Sequence, residues 1–104
     1  MKILILGDRG MLGRSAVYYY RSLGHHVSTS NYRWPHKNFK DSIELFNGDL
    51  IINCAAVTSK ESDFRVNYEL PLFIAKHMQS GVKYIHPESF MIKEPLVMLL
   101  MNTE

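Results

Sequence analysis

The spacing with the most chemical content lies in the first fifteen residues. Gly7, Gly10 and Gly13 form a G-x-x-G-x-x-G pattern directly after the apolar run Ile3-Leu4-Ile5-Leu6. Glycine has no Cβ, so its backbone can come within hydrogen-bond reach of a phosphate, and the N–H groups of a helix's first turn then hold the negative charge. Strand, tight turn and helix start in that order make a cradle for the pyrophosphate of a dinucleotide, in a form related to the commoner G-x-G-x-x-G. Gly7, Gly10, Met11, Leu12 and Gly13 are the candidate contacts, with Arg9 inside the turn. The alternative is structural: glycines that let a helix pack closely on a strand.

A second candidate stretch is Asn53-Cys54-Ala55-Ala56, which ends the apolar run Leu50-Ile51-Ile52. Small residues at the carboxyl end of a strand leave room beside a glycine turn, where ligands bind in open α/β sheets. Cys54, Ala55 and Ala56 are therefore candidate cofactor contacts, and helix packing accounts for them equally well. The five histidines, including the pair His25 and His26, have no cysteine or carboxylate partners at metal-ligand spacing, so no metal site is expected.

These stretches need elements to position them. Met11 starts a helix that runs to about Leu23, with Leu12, Ala16, Tyr20 and Leu23 recurring near helical spacing and Gly24 placed as its cap. Of Tyr18, Tyr19 and Tyr20, one is expected on the sheet and the others flat on the surface. His26–Thr29 reads as a second strand, parallel to the first. Residues 31–38 read as loop with at most a rudimentary third strand, and Phe39–Phe46 as a helix closed by Asn47-Gly48. Leu50–Ile52 follows as a buried strand. A helix is expected from near Glu61 to Gln79 with Phe64, Leu72, Phe73, Ala75 and Met78 inward, Pro71 beginning a new segment or kinking it. Val82–His86 is the next strand. Leu96–Met101 fits neither period.

Composition narrows the classes. A chain of 104 residues with 46% apolar and 21% charged residues is that of one globular domain, and a net charge of +2 gives no reason to expect nucleic acid or a membrane surface. The single cysteine, the short apolar start and the lack of a membrane-length run lead to a cytoplasmic, soluble expectation.

In order and spacing, Lys2–Gly13, Asp49–Thr58, Val66-Asn67 and Tyr84-Ile85-His86 resemble the amino-terminal half of the extended short-chain dehydrogenase/reductases, most of all the dTDP-4-dehydrorhamnose reductase type of nucleotide-sugar reductases and epimerases. The resemblance covers about residues 1–86. It implies a Rossmann-like three-layer domain with a parallel sheet in the order 3-2-1-4-5, truncated after about five strands. It also implies that the glycine turn cradles the cofactor pyrophosphate and the Asn-x-Ala-Ala stretch lies along its ribose. Where the family has a Ser-Thr-Asp-Tyr-type segment, this chain has Pro87-Glu88-Ser89-Phe90, and none of its six tyrosines has a lysine four places on. The family's Tyr-x-x-x-Lys proton donor is thus missing, with a cost of roughly 10²- to 10⁴-fold in carbonyl reduction.

NAD-preferring members of such folds end the second strand with an acid for the ribose 2′-OH, whereas this chain has Ser28-Thr29-Ser30-Asn31 and then Arg33. Arg9 resembles the arginine that GDP-fucose synthases set against a 2′-phosphate. NADP(H) is therefore expected over NAD(H), with Arg9, Asn31 and Arg33 as contacts; ordinary solvated arginines are the alternative. The expectation is a cofactor-binding half over residues 1–86, inactive alone, with an atypical tail over 87–104. A rival reading is a non-catalytic interaction module with a vestigial cleft. An edge left after the Tyr84-Ile85-His86 strand invites either the tail folding back on it or a homodimer through the exposed sheet edge.

Overall fold

Unbroken apolar runs become strands here because both of their faces are covered. The computed structural model describes residues 1–55, 66, 68–87 and 98–101. Four strands, β1 (Lys2–Leu6), β2 (His26–Thr29), β3 (Leu50–Asn53) and β4 (Lys83–Pro87), form a parallel sheet in the order β2-β1-β3-β4. Side chains alternate across it. Ile3, Ile5, Val27, Leu50 and Ile52 pack with Ala16 of helix α1 (Met11–Ser22) on one face. Leu4, Leu6 and Ile51 pack on the other with Phe39 and Ile43 of α2 (Phe39–Glu44) and Leu70 and Ile74 of α3 (Glu69–His77). The result is the three-layer α/β domain of Rossmann-like type that the sequence implied.

The helices follow from local chemistry. Gly24, at φ +87°, closes α1 with paired bonds from Gly24 N–H to the Arg21 carbonyl (3.0 Å) and His25 N–H to the Tyr20 carbonyl (3.1 Å). The face of α1 on the sheet is Gly13, Ala16, Val17 and Tyr20. That face leaves out Leu23, which is 56% exposed and not the inward residue its spacing suggested. Tyr20 packs on the sheet while Tyr18 and Tyr19 stay exposed, the division expected of the three. In α3, Pro71 sits in the first turn, where no N–H is needed, so it begins a helical segment. Leu72, expected inward, is 71% exposed, because Leu70 and Ile74 take the buried face four residues apart. Phe64 and the expected helix start near Glu61 lie outside the described residues.

No strand forms over residues 31–38. Its backbone donors turn inward instead: His36 N–H to the Arg33 carbonyl (2.7 Å), Phe39 N–H to the His36 carbonyl (3.0 Å) and Asn38 N–H to His36 Nδ1 (3.0 Å). Those bonds are local turns, which cannot also extend the ladder beyond β2. At the far side, β5 (Met98–Met101) lies antiparallel on β4, with Tyr84 opposite Met101 and Pro87 opposite Met98. Residues 98–101 of the tail therefore lie along the edge that the four parallel strands leave. At the amino end of the sheet, Lys2 N–H donates to the Asp49 carboxylate (2.8 Å) and Asp49 N–H returns to the Lys2 carbonyl (2.9 Å).

Candidate functional site

The register sets Leu6 beside Asn53, so β1 and β3 end level and their next residues meet. Cys54 N–H donates to the Leu6 carbonyl at 2.9 Å. Gly7 then turns at φ +75°, and a Cβ there would stand 2.6 Å from the Ala55 nitrogen and 2.7 Å from the Cys54 carbonyl carbon. A Cβ on Gly13 would run into the Gly7 carbonyl. These two glycines are required by packing alone. Gly10 differs: its nearest obstacle to a Cβ is the Gly7 oxygen at 3.5 Å, an ordinary contact, and its φ is −76°. No neighbouring atom excludes a side chain at this exposed position.

Gly10 is also the N-cap of α1 and brings no side-chain acceptor to the first turn, which contains no acid. Its own N–H bonds to the Gly7 carbonyl (3.2 Å), and its carbonyl accepts the Arg14 N–H (2.9 Å). The backbone is thus held rigidly while the first-turn donors keep the positive end of the helix uncompensated by side chains.

On the other side of the turn the polar groups satisfy one another. Ala55 N–H donates to Asn53 Oδ1 (3.1 Å), which fixes the orientation of that amide. Asn53 Nδ2 therefore donates to Tyr84 Oη at 2.9 Å and lies 3.4 Å from His86 Nδ1. Asn53 and Tyr84 are fully buried. Burial pushes the Tyr84 phenol up to about 12, against the lowering effect of its Asn53 bond, and pushes the Cys54 thiol up to about 12. At neutral pH both groups therefore keep their protons.

A groove of about 710 Å³ opens beside the turn, lined by Asp8, Arg9, Arg14, Val17, Tyr18, Arg21, Ser22 and Thr29. The structure thus brings together Gly7, Gly10, Gly13, Cys54 and Ala55, with Met11 and Leu12 opening α1 and Arg9 in the adjoining groove. Asn31 and Arg33 are exposed in the loop after β2 and do not line that groove. Ala56 lies outside the described residues. Sequence reasoning missed Arg14 and the cross-strand partners of the Asn53 amide. Arg14 follows the third glycine directly, a visible signal; the partners of Asn53 lie about thirty positions away and were not. Among the described residues no three His, Cys, Asp or Glu side chains gather as metal ligands would, and no helix is long and apolar enough to cross a membrane.

No protein-family model, no curated protein and no solved structure matches this chain.

Proposed function

We propose that this chain is the cofactor-binding half of an NAD(P)-dependent nucleotide-sugar reductase of the dTDP-4-dehydrorhamnose reductase type, that it binds NADP(H) in preference to NAD(H), and that it has no reductase activity by itself. The observation that carries this reading is Gly10. Packing accounts for Gly7 and Gly13 but not for a missing side chain at Gly10, whereas a pyrophosphate lying against the turn does. The residues present fit such a group: a rigid turn, a helix start with neither acid nor side-chain cap, and small residues across from it at Cys54 and Ala55. When bound, the cofactor supplies hydride. What the chain supplies is binding and orientation.

The inactivity rests on the missing Tyr-x-x-x-Lys pair. Tyr84 is buried with its hydroxyl bonded to Asn53, and no tyrosine of the sequence has the family's lysine partner. The test is a thermal-shift titration with NADPH and NADH. A ligand at a hundred times its Kd adds about 2.7 kcal/mol to stability, and the shift is expected to be larger for NADPH. Gly10→Val is expected to abolish it while leaving the unliganded melt cooperative. If neither cofactor shifts the wild-type melt, the rival reading as an interaction module gains. Turnover of a 4-keto sugar nucleotide by the purified chain overturns the inactivity.

A further inference from the structure

The groove beside the glycine turn carries more positive charge than a pyrophosphate cradle calls for. Three guanidiniums, Arg9, Arg14 and Arg21, line it against one carboxylate, Asp8. Their situations differ. Arg21 donates to the Val27 carbonyl at 3.3 Å and is occupied in covering the outer side of β2. The guanidiniums of Arg9 and Arg14 have no hydrogen-bond or ion-pair partner among the described residues. Both are exposed, and the backbone of Arg14 is pinned by its bond to the Gly10 carbonyl. Thr29, at the carboxyl end of β2, contributes to the wall of the same groove.

We propose that Arg14 and Arg9 act as a pair that grips a phosphate monoester, and that Arg14 is a determinant of preference for a dinucleotide carrying a 2′-phosphate. This rests on the dinucleotide reading above and assigns its specificity to a helix residue rather than to the loop after β2. Arg33, the loop arginine, does not line the groove, so it cannot share the grip without the loop moving. Two unpaired guanidiniums on one groove suit a dianion, because each offers a fork of donors and neither gives up an existing bond.

The experiment is a calorimetric titration at low ionic strength with two cofactor fragments, 2′,5′-ADP and 5′-AMP, which differ by the 2′-phosphate alone. Wild type is expected to bind 2′,5′-ADP more tightly. Arg14→Ala is expected to weaken 2′,5′-ADP about tenfold, the size of a lost charge-assisted hydrogen bond, and to leave 5′-AMP as it was. Arg21→Ala, which removes the same charge from the same groove, is expected to change the ratio of the two affinities by less than about twofold. Alanine is a good helix former at this exposed site, and a circular dichroism melt checks that the fold is kept. Equal losses in the two variants make the effect one of bulk charge and overturn the role of Arg14, as does no loss in Arg14→Ala. If wild type binds both fragments equally, the dinucleotide reading stands and the arginine pair falls; if it binds neither, both fall.

Discussion

The carboxyl edge of the sheet has two halves that treat polar groups in opposite ways. Around β3 and β4, Asn53, Tyr84, His86 and the Ala55 N–H satisfy one another in a buried network. Around β1 and α1, an exposed glycine and two unpaired arginines stand at a helix start that brings no side-chain cap. A closed network rigidifies, whereas exposed donors are satisfied by water and remain free to exchange it for a ligand. The difference shows where the proposed cofactor would lie: the satisfied half holds β3 and β4 in place, and the half with free donors is the one the proposal assigns to the dinucleotide.

Substitutions can break or sharpen that contrast. The largest effect is expected from Gly13→Ala, because its Cβ meets the Gly7 carbonyl and must push α1 off the sheet. A loss of about 3 kcal/mol or more is expected in urea denaturation, enough to threaten folding. Asn53→Leu comes next: it strands the buried Tyr84 hydroxyl, frees the half-buried Ala55 N–H, and is expected to cost about 2–3 kcal/mol in the same assay. Cofactor affinity should fall less than stability if the network only positions strands.

The third test is pH. Tyr84 ionises near 10 in the unfolded chain and about 12 in the folded one, and Cys54 goes from 9 to about 12. Both raised values mean that the folded state keeps its proton longer. Stability is therefore full below about pH 9 and declines as pH rises from there through about 12, by at most about 1.4 kcal/mol per pH unit for each group. Denaturant melts at stepped alkaline pH check this, and Tyr84→Phe should make the decline shallower. The smallest effect on stability belongs to Gly10→Ser. Gly10 already has the extended backbone of an N-cap, so serine is expected to add a few tenths of a kcal/mol while weakening NADPH binding. A variant that gains stability and keeps full affinity would remove the argument from the open half of the edge.

Much of this was legible in the residues. Unbroken apolar runs at Ile3–Leu6 and Leu50–Ile52 and the glycine at the end of α1 placed strands and helix stop correctly, because backbone hydrogen bonding and two-sided burial leave few alternatives. Inward and outward positions were harder: Leu23 and Leu72 are apolar, yet exposed, since Tyr20 in α1 and the Leu70–Ile74 pair in α3 already fill the faces turned to the core. In the site, glycine spacing located the turn but could not say which glycine is open, a question of contacts between residues 7, 13 and 55. Arg33 is expected as a cofactor contact from its place after β2; it stands exposed in a loop of tight turns, outside the groove beside the glycine turn.

β1 stands in the middle of the sheet, between β2 and β3, and precedes both in the chain. During synthesis it therefore leaves the ribosome with neither neighbour made. The α1–β2 unit can close on one side of it early, but the other side waits for residue 50, and the Lys2–Asp49 clasp cannot form before then. At roughly 5–20 residues per second, an apolar strand edge stays open for some seconds in every nascent chain. Aggregation during production is expected to depend on how fast residues 30–50 are translated, and slow codons there should lower soluble yield without altering the finished fold.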